Sequence, residues 1–119
     1  MAVKRFEDLI VWQKAQDLAV LIYSNFSMIK DYAFKDQITR ASLSISNNIA
    51  EGFDRKTNVD STRFLYIAVS SNSEVRSMLY LSERLGYLTP ELMGEFLDKS
   101  NEIARMIFGL IQSMKETNS

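Results

Sequence analysis

The sequence predicts an all-α protein, an up-down-up-down four-helix bundle, and three observations carry that reading. Apolar residues recur at intervals of three and four along most of the chain. One proline and four glycines in 119 residues leave long stretches without a breaker. Capping and turn signals divide the chain into helices at about 9–28, 32–52, 60–85 and 90–115. That length fits one core, so residues 1–119 read as a single domain, with no repeat or low-complexity stretch.

In the first segment Leu9, Trp12, Ala15, Ala19, Ile22, Tyr23 and Phe26 share a face. Val11, Leu18 and Val20 widen it to roughly half the circumference, more than the stripe of about 100° that one core needs. Two readings stay open: a helix sunk deep in the bundle, or a second contact with another subunit.

Asp31 is the expected N-cap of the second helix, because its carboxylate can accept from free first-turn amides. Phe34, Ile38, Ala41, Ile45, Asn48, Ile49 and Gly52 form its inner face, and Gly52 is expected to end it. A polar stripe with Gln37, Arg40, Ser44, Asn47 and Glu51 runs alongside. Ser42, Ser46 and Ala50 make a small-residue row that lets another backbone come close.

After a connector at 53–58, the third helix has an expected core stripe of Phe64, Ile67, Ala68, Ser71, Val75, Met78, Leu79, Ser82 and Leu85. Tyr66, Val69, Ser73, Ser77 and Tyr80 stand opposite, where a monomer usually carries charge. Tyrosine suits interfaces because its apolar body ends in a polar tip. Trp12, Tyr66 and Tyr80 are therefore the candidates for a subunit contact. Gly86-Tyr87-Leu88 makes a turn, Thr89 caps the fourth helix, and Pro90 sits at its first position, where no amide is missed. The stripe from Met93 to Met114 is regular.

Composition removes many functions. Cysteine and histidine are both absent, so Cys-His and Ser-His-Asp nucleophiles and Cys or His zinc sites cannot be built. There is no Gly-rich phosphate loop. The carboxylate pairs Glu91 with Glu95 and Asp98 with Glu102 fall on the polar side of the last helix and read as solvated surface. No enzymatic activity, cofactor or small-molecule substrate is expected. Without a signal-like N-terminus, a long apolar run or a cysteine, the expected location is the cytoplasm. The formal net charge is −1, and both halves of the chain are near balance. Nucleic-acid binding would then need local clustering, for which Arg55, Lys56 and Arg63, at one end of adjacent helices, are the candidates.

The second helix carries the most unusual constellation. Gln37, Arg40, Ser44, Asn48 and Glu51 set amide, guanidinium, hydroxyl and carboxylate groups beside a core face, where unpaired polar groups are costly. Arg40 and Glu51 lie three turns apart and cannot pair with each other. Each is expected to find a mate on another helix, another subunit or a ligand. A hydrogen-bond network that fixes helix register is the first reading of the row, and ligand or nucleic-acid contact is the second.

The chain also resembles the family of 23S rRNA intervening-sequence proteins, whose relatives include the accessory variability proteins of diversity-generating retroelements. Phe6-x-Asp8-Leu9-x-Val11-Trp12-Gln13-x-Ala15, Gln37-Ile38-x-Arg40-Ala41-x-x-Ser44-Ile45 and Asn48-Ile49-Ala50-Glu51-Gly52 carry the likeness. Phe64-Leu65-x-Ile67-Ala68 and Leu85-Gly86-Tyr87-Leu88 extend it to essentially the whole chain. Ser70, Phe53 and Asp54 depart from the family pattern, and the near-neutral charge differs from the basic retroelement relatives. The resemblance implies a non-enzymatic bundle whose partner is itself, as a homo-oligomer and typically a pentameric ring. The alternative it leaves open is an RNA- or DNA-binding accessory protein.

Overall fold

The computed structural model describes residues 3–117. A single 3-10 turn, Phe6–Asp8, precedes α1 (Ile10–Phe26), α2 (Tyr32–Phe53), α3 (Asn58–Arg84) and α4 (Pro90–Thr117). Each helix packs against the next, and α4 returns to α1, so the four close an up-down-up-down bundle. Among the described residues there is no strand. The fold is the one the periodicity predicts, and every helix end falls within two residues of its expected place.

The ends are set by the expected chemistry in most cases. Asp31 Oδ1 accepts from the Phe34 amide at 3.2 Å, and Thr89 Oγ1 accepts from the Leu92 amide at 3.2 Å. Thr57 caps α3 in the same way through the Asp60 amide. Gly86, at φ 76°, supplies the left-handed residue that closes α3, and the Tyr87 amide then donates to the Ser82 carbonyl at 2.8 Å.

Gly52 departs from its expected role. Helix α2 runs past it to Phe53, and a Cβ at position 52 would lie 2.9 Å from the Ser61 carbonyl oxygen and 3.2 Å from Phe64 Cβ. Glycine is needed there so that α2 and α3 can touch backbone to backbone. The small-residue row works similarly: Ser42 and Ser46 are fully buried, and Gln16 of α1 donates to Ser46 Oγ at 3.2 Å.

In α1 the wide apolar sector divides. Val11 and Leu18 join the core, whereas Val20 is 64% exposed and Tyr23 and Ile10 also face outward. In α3 the buried set is Ser61, Leu65, Ala68, Asn72, Val75, Leu79 and Ser82. The expected stripe is therefore rotated: Ala68, Val75, Leu79 and Ser82 hold, but Ile67 and Leu85 are exposed and Leu65 and Asn72 take the inner positions. The buried residues keep a four-three spacing, and polar members at 61 and 72 hid it from a search for apolar residues alone.

Asn72 is satisfied by α4. Its amide nitrogen donates to the Ser100 carbonyl at 2.9 Å, and Ser100 Oγ donates to Asn72 Oδ1 at 2.8 Å. Both residues are buried, so this reciprocal pair meets the requirement that enclosed polar groups be bonded.

Candidate interaction surfaces

The polar row of α2 faces the groove between α2 and α3. Gln37 donates to Glu74 of α3 at 2.8 Å, and Ser71 of α3 donates to Ser44 Oγ at 2.7 Å. Asn48 folds back onto its own helix, donating to the Ser44 carbonyl and hydroxyl at 2.8 and 2.9 Å. Ser44 thus joins Asn48 to Ser71 and ties the two helices together in one register. The groove above it, about 540 Å³, is lined by Gln37, Arg40, Ser44, Ser71 and Glu74 among others.

Arg40 and Glu51 do not reach across helices. Arg40 Nε pairs with Asp36 at 2.9 Å, and Glu51 pairs with Arg55 at 3.2 Å, each four residues away. Arg40 and Glu51 lie too far apart to pair with each other, and both have a nearer mate on their own stretch of chain. These exposed pairs sit in water and contribute about 0.5 kcal/mol or less each.

The basic candidates are spread around Phe64. Arg55 and Arg63 stack over its ring at 4.4 and 4.9 Å from the centroid. Both also carry a carboxylate, Glu51 for Arg55 and Asp60 for Arg63, the latter at 3.6 Å. Lys56 is exposed between them in sequence. The end of the bundle therefore brings Arg55 and Arg63 together over one ring and offsets the charge of both.

Of the aromatic candidates, Trp12 is half-buried and packs edge-on against Phe6 at 5.3 Å, which closes the 3-10 turn over α1. Tyr66 and Tyr80 stand outward, 43% and 50% exposed. Lys115 of α4 donates to the Tyr66 hydroxyl at 3.0 Å, which places this face of α3 beside α4. The pairs Asn72–Ser100 and Asn58–Met114 set the antiparallel register and bring Phe108, 48% exposed, level with Phe64. Sequence reasoning missed Phe108, because its place beside α3 depends on the register of α4. Exposed apolar groups also flank α1 and α2, where Tyr23 and Tyr32 line a groove of about 690 Å³.

At the opposite end from Arg55, Asp31 accepts from the Tyr87 hydroxyl at 2.7 Å while capping α2. The Tyr87 hydrogen bond, and after it the Phe34 amide, lower the Asp31 pKa below the usual carboxylate value. The same bond raises Tyr87 above the usual phenol value. Among the described residues no group of three or more acids gathers to hold a metal ion, and no helix is long and apolar enough to cross a membrane.

Fold and surface together define an all-α four-helix bundle with a polar seam between α2 and α3 and an aromatic outer face on α3. The family model described as 23S rRNA-intervening sequence protein matches residues 7–109, and the chain belongs to that family. A crystal structure of a protein of unknown function from the S23 ribosomal protein family of Bacteroides thetaiotaomicron is similar, at 28% identity and a TM-score of 0.81. The match covers 86% of this chain and 98% of that one. No curated protein matches.

Proposed function

We propose that the protein is a non-enzymatic helical scaffold that assembles with copies of itself. The observation that carries this reading is the outer face of α3. Tyr66 and Tyr80 are large aromatics near half exposure on the side away from the core, with Ser70, Ser73 and Ser77 between them. Exposed apolar surface gathered on one face marks an interaction site more often than a solvated one. The family resemblance implies a ring, with five copies as the expected number. Nucleic-acid binding is the second reading, and it has less support, since Arg55 and Arg63 already hold carboxylates.

Light scattering of the purified protein at tens of micromolar tests the proposal. The expected result is a mass that is a multiple of the 13.7 kDa chain. Tyr66→Glu should return it to a single chain with an unchanged helical circular dichroism spectrum. A monomeric wild-type protein would overturn the proposal.

A further inference from the structure

The groove between α2 and α3 runs further than the polar row. Beyond the hollow over Ser44 and Ser71 lies a second one of about 550 Å³, lined by Phe34, Met78, Leu81 and Leu85 among others. The two hollows share Ala33, Gln37 and Glu74, so they form one continuous groove. It follows α2 from Ser44 back to Asp31. At a rise of 1.5 Å per residue that is about 20 Å, between three and four turns of helix.

Its two halves differ in chemistry. At one end Leu81 and Leu85, 43% and 48% exposed, stand one turn apart on α3 with Met78 beside them. Towards the other end Ala33, Ala41, Ser44 and Ser71 keep the walls low, which lets a further helix lie close to both α2 and α3. The charged residues lining the groove are Asp31, Asp36, Arg40 and Glu74. Asp36 and Arg40 cancel each other as an ion pair. Asp31 accepts from the Tyr87 hydroxyl and the Phe34 amide, neutral donors that leave its charge in place. Glu74 accepts through Oε2 from Gln37, also neutral, and its Oε1 makes no hydrogen bond or ion pair among the described residues. Two uncompensated carboxylates therefore border an exposed leucine strip.

We infer that this groove receives a short amphipathic helix of a different protein, with an apolar edge on Met78, Leu81 and Leu85 and a lysine or arginine at Glu74. A helix laid in a groove presents apolar anchors at intervals of three and four, the spacing at which Met78, Leu81 and Leu85 stand. Charge complementarity makes the partner basic, because the negative charge left over on Asp31 and Glu74 is met by no cation of this chain. A basic side chain also suits the border of the strip, since its methylene stem covers apolar surface while its head reaches the carboxylate. The inference does not rest on self-assembly and applies equally to a single chain.

The test uses fluorescently labelled, alanine-based helical peptides of about 14 residues, the length that spans the groove. One carries leucines spaced by three and four in one half and lysines in the other, made in both chain directions, and a matched peptide carries glutamates in place of the lysines. Fluorescence anisotropy reads binding, and circular dichroism checks that each protein variant is folded. Wild type should bind the lysine peptide in at least one direction and discriminate against the glutamate peptide. Glu74→Lys should weaken the lysine peptide about tenfold or more, the size of one close charge pair, and turn the preference towards glutamate. Glu95→Lys, the same charge change on the polar side of α4, should leave binding as it was, and Leu81→Ser should weaken both peptides. A wild type that binds neither peptide overturns the inference. Equal effects of Glu74→Lys and Glu95→Lys, or a folded Leu81→Ser that binds as wild type does, overturn the placement in this groove. Binding seen only in the dissociated Tyr66→Glu chain gives the groove to a second copy and overturns a separate partner.

Discussion

Helix α3 shows two contrasting sides. Towards α2 it is fastened by atoms that leave no slack: Gly52 against the Ser61 carbonyl, Ser71 to Ser44, and Glu74 to Gln37. Away from the core it carries tyrosines and serines at similar helical spacing, and its one described inter-helix bond is Lys115 to the Tyr66 hydroxyl. The inner side is completed within the subunit and the outer side is not. Substitutions on the two sides should therefore fail in different assays, stability for one and association for the other.

The largest loss of stability is expected at Gly52. Gly52→Ala puts a Cβ within 2.9 Å of a backbone oxygen that cannot rotate away, so α2 and α3 must separate slightly. Overpacking of this kind costs about 1–3 kcal/mol, and a urea or thermal melt reads it directly. Asn72→Ala comes next. It strands the Ser100 hydroxyl and carbonyl in a dry place, at about 1–2 kcal/mol. Equal melting of Asn72→Ala and wild type would mean that water has reached that site.

On the outer side, Tyr80→Glu should move subunit stability by less than about 0.5 kcal/mol, as surface changes usually do. Its effect belongs to the mass in light scattering, where it should lower association. A variant that melts early and keeps its mass would reverse the comparison. The smallest effect concerns the Asp31–Tyr87 bond. Asp31 has a lowered pKa in the folded state, so its contribution is full above 3.8 and is lost as pH falls through the lower folded value. Tyr87 has a raised pKa, so the same bond is full below 10.0 and is lost as pH climbs through the folded value. Tyr87→Phe should therefore lower the melting temperature slightly between those two limits, where the bond is full, and change it least at the extremes of pH, where wild type has lost the bond as well.

Most of the architecture was legible from the sequence. Asp31, Thr89 and Pro90 announce helix starts through local chemistry, and Gly86 announces an end, because each acts within a few residues of itself. The rotation of α3 was not legible. Phe64, Leu65 and Ile67 offer two apolar faces, and the choice between them depends on Asn72, whose partner lies 28 residues away. Gly52 stands where a stop signal would, but its role is contact with α3, a fact that no local pattern carries. Arg40 and Glu51 find their mates, Asp36 and Arg55, at the ordinary helical interval and not on another helix. The polar row itself was found by sequence, and its links to Glu74 and Ser71 became visible only with α3 in place.

The Asn72–Ser100 pair has a consequence for how the bundle finds itself. The inner residues of α3 and α4 are mostly aliphatic and repeat, so several slipped alignments would bury similar hydrocarbon area. Sliding α4 by one turn would set the Asn72 amide beside Phe96 or Ala104, with nothing to bond. One polar pair therefore rejects neighbouring alignments that the hydrocarbon alone would tolerate, at some cost in stability, as a single asparagine does in a coiled coil. Leucine at 72 with alanine at 100 would melt higher and would populate a mixture of alignments, visible as doubled backbone amide resonances.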